Sequence, residues 1–444
     1  MKEKIWLYFI LLQPILDLAT SLMLNKANTS LSIGILVRVV FLAYVIYFVL
    51  HHYFVKKSWK PLAGIGALGL YFVINLVINF IYKDPFSLGA EITFMAKTIY
   101  PIFLFIAFYI IFKNHLLKPE SLLKILTVNA VIVSAIIIIP TVFGISFESY
   151  NSSFAGSIGW FNAANETGAI LVILFAFTVL YYLKAGTWDV LALAALIGMT
   201  VSVYLIGTKV ATGSFVLLAL STTLLLMLKK RWIKSGIILL ALAGTLYGIT
   251  QSPVAQNAKV VEEQNQIRQD MYKEKEKHFT ADIIEQINMY QEYRKKSIPA
   301  LTQVLSSRDL FLLMHYDFFK EAHPLRKAFG MGYSSEYEKE PKMVEMDYFD
   351  FVFSYGLILG VVLTVGMILF IFQTIKMGIV ELLRKTRDDR KILLAFSSLL
   401  VLGVSFIAGH IWFAPAVSLY YMIMLAILYA WKFSNTEQNL GKAR

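Results

Sequence analysis

Charged and imidazole side chains inside or beside long apolar stretches are the residues of this chain most able to do chemistry. An ionisable group at membrane depth costs about 2.5–3.5 kcal/mol on insertion scales, so each one needs a partner or a function. A lone Lys or Arg can instead extend its stem along the lipid and keep its charge at the interface. Most of these groups lie near one end of their apolar stretch, which predicts a polar cavity that combines cations and carboxylates. They are Asp17, Arg38, Lys97, Glu166, Lys209, Asp347, Asp350 and His410.

Two of these groups have structural alternatives that the sequence leaves open. His410, in AGHIWFAP, is either a functional imidazole or a histidine hydrogen-bonded between two spans. Asp347 either carries chemistry or caps the helix that it precedes. The residue types alone do not decide between these interpretations.

Arg308 belongs to a different kind of segment, an amphipathic stretch that reads LSSRDLFLLMHYDFFKEAHPLRKAFGMGY. Ser306 or Ser307 is a suitable N-cap, so Arg308 falls in the first helical turn, where free N–H groups and the helix dipole favour an anion. A guanidinium there can grip two phosphate oxygens at once. The alternative is that Arg308 pairs with Asp309 or another nearby carboxylate.

A membrane protein is needed to position these groups. Hydrophobic residues make up 58% of the 444 residues and charged residues only 16%, which is too apolar for a soluble globule of this length. Since a helix needs about 20 apolar residues to cross a bilayer, the apolar runs predict an all-α, polytopic fold with twelve transmembrane helices. These runs lie at roughly 5–24, 32–51, 61–82, 95–113, 121–146, 165–184, 187–206, 210–228, 234–250, 347–373, 391–409 and 414–433. The first is expected to stay in the protein, because it lacks a small-residue cleavage site.

Basic residues give the predicted orientation, because Lys and Arg near span ends are retained in the cytoplasm. The segments MKEK, HHYFVKKSWK, KKRWIK and KMGIVELLRKTRDDRK predict that both termini are cytoplasmic. The chain then divides into spans one to nine (1–250), an extracytoplasmic helical segment (251–346), and spans ten to twelve with a cytoplasmic tail (347–444). The net charge of +12 is therefore a topology signal, and no nucleic-acid partner is expected.

The long polar segment is the natural cover for the cavity. Ile283, Ile287 and Tyr290 recur at helical spacing, which predicts one or two surface helices within 256–297. A second helix is expected from Ser306 or Ser307. Pro324 and the glycines after it predict a turn-rich exit from that helix.

The motifs of nucleotide and metal enzymes are not found in the sequence. It contains no HExxH, no P-loop, no glycine-rich dinucleotide fingerprint and no cysteine. We therefore expect no metal site and no cofactor. Any substrate would arrive already activated.

Five segments together resemble the O-antigen ligase and polymerase superfamily of integral membrane glycosyltransferases. They are FNAANETGAI (161–170), IGTKVATGSFVLLAL (206–220), the segment 305–333, EMDYFDFVFSYGLILG (345–360) and AGHIWFAPAVSLYY (408–421). The likeness covers most of the chain from about residue 160 onward, and it includes the twelve-span layout with one large late loop.

This resemblance implies transfer of a glycan from a polyprenyl-diphosphate-linked donor to a sugar hydroxyl at the outer face of the membrane. It implies that Arg308 and Lys209 bind the diphosphate. A carboxylate or imidazole would take the acceptor proton, and the candidates in order are Asp347, His323 and His410. The resemblance also implies that Glu166, Asn162 and Asp350 contact the substrate.

The sequence departs from the family pattern at two positions, of which the first keeps the positive charge and loses the two-pronged contact, and the second favours a capsule or exopolysaccharide polymerase over a ligase. Lys209 stands where the family usually has Arg, and Asp347 or Asp350 where its ligases often carry a loop histidine. A ligase that moves finished polysaccharide onto a wall or lipid acceptor is the first alternative. A transporter or flippase of lipid-linked glycans is the second, although no inverted repeat is visible. The implied partners are the bilayer, a flippase and a chain-length regulator.

Overall fold

The computed structural model describes residues 2–27, 33–84, 86–150, 155–250, 292–298, 301–302, 305–333, 343–384 and 388–441. The surface helices predicted around Ile283, Ile287 and Tyr290 lie outside the described residues. The helix predicted to start after Ser306 or Ser307 lies within them.

The described chain is almost entirely helical, which confirms the all-α prediction. A helix coincides with each of the twelve predicted spans, and two more precede the tenth. The helices before the long polar segment are α1 (Lys2–Ala27), α2 (Ile33–Val55), α3 (Trp59–Tyr82), α4 (Leu88–Lys113), α5 (Pro119–Val142), α6 (Ala164–Lys184), α7 (Val190–Ile206), α8 (Lys209–Leu228) and α9 (Trp232–Thr250). Those after it are α10 (Arg308–Glu321), α11 (Pro324–Phe329), α12 (Asp347–Tyr355), a π-helix (Gly356–Gly360), α13 (Val361–Leu383), α14 (Asp389–Ile407) and α15 (Pro415–Gly441).

Apolar length makes this a multi-pass membrane protein. In the described residues nine candidate spans are long and apolar enough to cross a bilayer, with Asp347–Leu383 counted as one. Three shorter apolar helices, Val190–Ile206, Trp232–Gly248 and Pro415–Ala430, complete the predicted set.

Two predicted boundaries were wrong. Helix α4 begins at Leu88, because the Ser87 hydroxyl accepts a hydrogen bond from Ala90 N at 3.4 Å, so Lys97 lies inside the helix and does not open it. The fifth span ends at Val142, before a two-stranded antiparallel hairpin of β1 (Phe147–Tyr150) and β2 (Ala155–Gly159). These strands are not predicted by the sequence.

Helix α6 is the centre of the bundle. In the most apolar stretch of α6, 83% of the residues are buried, the largest share of any candidate span. The helix contacts α5, α7, α8, α14 and α15. Because its first turn carries Glu166, the helix brings that carboxylate to the end of the bundle where α8 begins. At Gly168 a Cβ would come within 2.5 Å of the Ala211 Cβ, so the first turns of α6 and α8 pack closely.

The helices after the polar segment fold back onto the tenth span. Residues 324–329 form a short helix where the sequence predicted only turns. The chain then passes so close to the break in the tenth span that a Cβ on Gly330 would lie 2.1 Å from Ser354 O. On the other side of this contact, Gly356 has φ +63° and begins the π-helix. These glycines let α11 dock against α12, which fixes α10 and its first residue, Arg308.

Candidate functional site

Arg308 is the first residue of α10, as predicted, and its guanidinium is held by polar groups. Its Nε donates to Glu345 O at 3.1 Å and its Nη1 to Leu305 O at 3.3 Å. Its Nη2 donates to the Glu345 carboxylate at 3.2 Å. Arg308 therefore pairs with a carboxylate, as the alternative interpretation of the sequence expected, but the partner is Glu345 and not Asp309. Asp309 instead accepts a hydrogen bond from Thr302 at 2.5 Å.

The Glu345 carboxylate connects Arg308 to His410. His410 Nε2 lies 3.6 Å from the Glu345 Oε2 atom that Arg308 contacts. On its other side, His410 Nδ1 lies 3.8 Å from Glu166 Oε1. We call Arg308, Glu345, His410 and Glu166 the His410 cluster. The His410 and Glu166 side chains are about a third exposed, at 32% and 33%, so the cluster is open to small polar groups.

The backbone around the cluster is in an unusual conformation. Seven described non-glycine residues have positive φ, and four of them are Ser306, Ser307, Glu345 and His410. A side chain in the left-handed region costs roughly 1–3 kcal/mol, and such residues concentrate at functional sites. Ser307 is the N-cap of α10, but its hydroxyl makes no capping hydrogen bond. The prediction of that position was right and the predicted hydrogen bond was wrong.

Two aspartates of α12 hold the peptide segments that carry Glu345 and His410. Asp350 accepts hydrogen bonds from Val344 N and Met346 N, both at 3.0 Å, and these two residues flank Glu345. Both its carboxylate oxygens are used, and the residue is 2% exposed.

Asp347 does the same for the loop between α14 and α15. Its Oδ2 accepts from Ser405 Oγ at 2.7 Å, Ile411 N at 3.1 Å and Trp412 N at 3.3 Å. Asp347 is 1% exposed, so it faces the loop that presents His410 and not the open cluster. Gly409 completes the contact, since a Cβ there would lie 2.4 Å from Glu345 O.

The carboxylates around His410 change its acidity. Burial lowers the pKa of His410, but contact with Glu345 and the charges of Glu166, Glu345 and Asp347 outweigh burial and raise the pKa above its usual value. A neutral His410 would therefore be a stronger proton acceptor than an ordinary histidine, and its imidazolium would be stabilised by its neighbours. Lys97 adds a positive charge within electrostatic reach of Glu166.

Lys209 and Asn162 lie near the Glu166 side of the cluster. Lys209 is exposed at the start of α8, whose first turns pack against those of α6. Asn162 is exposed just before α6, and its side-chain oxygen accepts a hydrogen bond from Asn25 Nδ2 at 3.0 Å. The structure thus brings these two predicted residues to the same end of the bundle as Glu166.

His323 is in a different environment. Its ring stacks on Tyr82 at a centroid distance of 4.1 Å, and its Nδ1 accepts from Leu325 N at 3.3 Å. It is exposed and caps α11. None of these contacts involves the His410 cluster, so the structure does not bring this predicted base together with the others.

The two charges inside the first two spans, Asp17 and Arg38, pair with each other. The Arg38 guanidinium contacts the Asp17 carboxylate and also donates to Gln13 Oε1 at 3.3 Å. This pairing is the usual solution for charges inside a bundle of spans. Next to the pair, Tyr100 is buried, and its hydroxyl has no hydrogen-bond partner among the described residues.

A row of polar residues on α3 was missed by the sequence analysis. Tyr71, Asn75 and Asn79 follow each other at four-residue spacing, so they share one face of the helix, and Lys83 continues this spacing as the C-cap. Asn75 Nδ2 donates to Phe329 O at 2.6 Å. We call this row the α3 clamp.

The clamp binds the backbone of residues 329–333. Asn79 Nδ2 donates to Gly330 O at 3.2 Å, and Tyr71 donates to Phe329 O at 3.1 Å. Lys83 contacts Met331 O at 3.1 Å and the buried Glu91 carboxylate at 2.6 Å. The regular spacing of polar residues in an apolar span was the signal that would have identified this clamp.

No metal centre is evident in the part of the chain that the structure describes, where no group of three or more His, Asp or Glu side chains could hold an ion. The chemistry that the described side chains offer is anion binding and proton transfer. Arg308 and Lys97 supply positive charge, and His410 and its two carboxylate neighbours supply proton acceptors.

Comparison with known proteins identifies a family. No curated protein and no solved structure matches the chain. The model of the O-antigen ligase like membrane protein family matches residues 1–431, which include every helix from α1 to α14 and the whole His410 cluster. The chain therefore belongs to the O-antigen ligase-like family of membrane proteins.

Proposed function

We propose that this protein is a polysaccharide polymerase, which transfers an oligosaccharide repeat unit from a polyprenyl-diphosphate-linked donor to a sugar hydroxyl at the outer face of the membrane. Family membership supports the coarser part of this proposal, a membrane glycosyltransferase-type enzyme in surface polysaccharide assembly. The observation that supports the proposed transfer chemistry is the position of His410 between two carboxylates, one of which Arg308 also contacts.

In the proposed reaction the acceptor oxygen attacks the anomeric carbon of the donor. The bond from that carbon to the diphosphate oxygen breaks, and its electron pair stays with the diphosphate. The proton of the acceptor hydroxyl passes to His410. Glu166 and Glu345 then stabilise the imidazolium, as the carboxylate does in other His–carboxylate catalytic pairs.

Arg308 is suited to stabilising the leaving diphosphate. Its described hydrogen bonds use three of the five N–H groups of a guanidinium, which leaves two for phosphate oxygens. Charge developing on a leaving group is best stabilised by donors that are already oriented. Lys209, across the cluster on α8, is proposed as the second cation.

Asp347 and Asp350 have a different role in this proposal from the one that the family likeness implied. Their carboxylates are occupied by backbone N–H groups and, for Asp347, by Ser405. We therefore propose them as positioning residues for Glu345 and His410. His410 becomes the favoured base, ahead of Asp347 and of the distant His323.

The test is reconstitution of the purified protein in vesicles with a single lipid-linked repeat-unit donor. A polymerase builds a ladder of increasing lengths from this donor alone, because each product is the next acceptor. A ligase yields no ladder and requires an added wall or lipid acceptor. A flippase moves the donor between leaflets and releases no polyprenyl diphosphate, an outcome that would refute the transferase proposal.

A further inference from the structure

Two asparagine side chains meet at the end of the bundle that carries Glu166. Asn25 lies in the last turn of α1, and Asn162 lies two residues before α6. The Asn25 Nδ2 atom donates to Asn162 Oδ1 at 3.0 Å and to Ser21 O at 2.9 Å. Both asparagines are exposed. We call Asn25 and Asn162 the asparagine pair.

The asparagine pair offers one hydrogen-bond acceptor and one donor group to an incoming molecule. An amide side chain has two N–H donors and a carbonyl acceptor. Ser21 and Asn162 use the donors of Asn25, so its Oδ1 is left as an acceptor, while Asn162 keeps its Nδ2 as a donor. Among the described residues neither of these two atoms has a further hydrogen bond. A sugar hydroxyl both donates and accepts, so it complements this uncharged pair.

The residues before Asn162 are fixed against the end of α5. Trp160 N donates to Ile136 O at 3.3 Å, and a Cβ on Gly159 would lie 2.1 Å from the same oxygen. The Trp160 indole is partly exposed, and its Nε1 donates to Ile145 O at 3.0 Å. A pyranose presents an apolar face of C–H groups and an edge of hydroxyls, which match an indole ring and amides. Because the groups are already oriented, binding costs less ordering of the protein.

The asparagine pair lies on the Glu166 side of His410. Asn162 and Glu166 flank the start of α6, and Glu166 Oε1 lies 3.8 Å from His410 Nδ1. The other imidazole nitrogen, Nε2, faces Glu345, the carboxylate that Arg308 contacts. The uncharged groups and the Arg308 guanidinium therefore approach His410 from different ring nitrogens.

We infer that the asparagine pair and Trp160 bind the acceptor glycan through its neutral sugar hydroxyls, an inference that rests on the proposed function. The donor carries an anionic diphosphate, which matches Arg308, whereas uncharged amides and an indole match a neutral sugar. A glycan held there brings its hydroxyl to His410 from the Glu166 side, where Nδ1 takes the proton. The family resemblance implied substrate contact for Asn162. Asn25, Trp160 and the assignment to the acceptor are new.

Alanine substitutions remove the asparagine pair from either side. Asn25→Ala also loses the bond to Ser21 O, four residues earlier in α1. Asn114→Ala is the matched control, because Asn114 Nδ2 donates to Ile110 O at 2.7 Å across the same spacing. Asn114 is the C-cap of α4, in the basic segment before α5 that the predicted orientation puts in the cytoplasm.

The first experiment measures transfer from the lipid-linked donor to the free repeat-unit oligosaccharide, supplied in excess to the reconstituted protein. Asn162→Ala is expected to raise KM for the oligosaccharide roughly tenfold, or about 1.4 kcal/mol, with kcat and KM for the donor unchanged. Asn25→Ala and Trp160→Leu should raise the same KM, and Asn114→Ala should behave like the unsubstituted protein. Equal increases in both KM values, or an increase in neither, would overturn the inference.

The second experiment needs no donor, so it separates this inference from the proposed function. A free repeat-unit oligosaccharide that carries a photoreactive group is added to the purified protein. The inference predicts crosslinks within 21–27 and 159–166 that excess unlabelled oligosaccharide displaces, that Asn162→Ala weakens and that Asn114→Ala retains.

The two possible failures give different results in this experiment. If crosslinks are missing from these segments, or persist in Asn162→Ala, while the protein still builds a ladder from the donor, the acceptor site is refuted and the proposed function stands. If the crosslinks behave as predicted in a protein that releases no polyprenyl diphosphate from any donor, the proposed function is refuted and the glycan site stands.

Discussion

His410 acquires its chemistry from side chains that are distant in the sequence. Glu166 comes from α6, and Glu345 from the segment before α12. His410, Glu166 and Arg308 were predictable from the sequence, because each is a charged or imidazole residue at the end of an apolar stretch or in the first turn of a helix. Glu345 was not predictable, because its position depends on a left-handed backbone and on contacts with Arg308 and His410 that form only in the folded chain.

Replacing His410 should remove the proton acceptor. His410→Gln keeps the size and polarity of the side chain, and we expect the transfer rate to fall by about 10²–10⁴-fold, the usual contribution of general base catalysis. The rate is measured as polyprenyl diphosphate released by the reconstituted protein.

His323→Gln is the matched control for this substitution. Because His323 contacts Tyr82 and the start of α11, its replacement should leave the rate within a few-fold of the unsubstituted protein. A large loss in His323→Gln together with a normal rate in His410→Gln would contradict the assignment of the base to His410.

The rate should also depend on pH in a way that reports the neighbours of His410. Only neutral imidazole accepts a proton, so the rate falls as the pH drops through the pKa of His410, which its neighbours raise above the usual value. Glu166→Gln removes one of the charges that raise this pKa. The acidic limb of the pH–rate profile should therefore move to lower pH.

Lys97→Gln provides a comparison for the Glu166 substitution. It removes a positive charge near Glu166 and leaves both carboxylates beside His410 in place, so the acidic limb should not move to lower pH. An acidic limb that stays in place in Glu166→Gln would show that His410 does not control the profile.

At the scale of elements, the N-terminal end of α12 organises the site. Asp347 and Asp350 both lie in the first turn of α12 and bind the two segments that present His410 and Glu345. The sequence predicted the start of this helix and the importance of its acidic residues. It could not predict their direction, because their hydrogen-bond partners at 344, 346, 411 and 412 are fixed by tertiary packing.

Asp350→Asn should damage both stability and transfer. An amide nitrogen would face a backbone N–H, and the buried group left without a partner costs about 1–3 kcal/mol. Glu345 would also lose its fixed position, so kcat should fall beyond what the reduced fraction of folded protein explains. Thermal unfolding in detergent and the transfer rate of the folded fraction measure the two effects.

Asp388→Asn gives the structural comparison. Asp388 also binds a backbone N–H, that of Arg390 at 3.1 Å, but at the start of α14 and away from the cluster. It should lower stability without changing the rate of the folded fraction. If Asp350→Asn and Asp388→Asn lose the same transfer rate for an equal loss of stability, Asp350 has no positioning role.

The α3 clamp illustrates a second limit of prediction at this scale. Its four-residue spacing was visible in the sequence, but the carbonyl groups that it binds belong to residues more than 240 positions later. Hydropathy identifies the span, whereas only the fold shows that its polar face holds the segment 329–333 that follows α11.

At the scale of the whole molecule, apolar length was the most reliable guide. Every predicted span coincides with a helix, since a bilayer requires backbone hydrogen bonds to be satisfied within each segment. The hairpin of β1 and β2 and the π-helix in the tenth span were not predicted. Both occur where close packing, at Gly159 and Gly356, sets the backbone conformation.

The basic segments predict the orientation of the molecule, and this prediction is testable because the sequence contains no cysteine. Single cysteines at the exposed positions Lys295 and Lys230 should label from opposite sides of the membrane. A membrane-impermeant maleimide added to intact cells is expected to label Lys295→Cys at once. Lys230→Cys should react only after permeabilisation, and the reverse pattern would put the His410 cluster in the cytoplasm.

The central claim is that Arg308 stabilises the diphosphate while His410 takes the acceptor proton. The most direct measurement is the surface polysaccharide and the pool of lipid-linked glycan in cells that carry Arg308→Ala or Arg308→Lys. Losing an oriented donor to developing charge costs about 10²–10³-fold in rate, so polymer should disappear and single lipid-linked repeat units should accumulate at normal protein levels. Arg308→Lys should recover only part of the polymer, because it keeps the charge and loses the two-pronged contact. Undiminished polymer in Arg308→Ala would contradict the account.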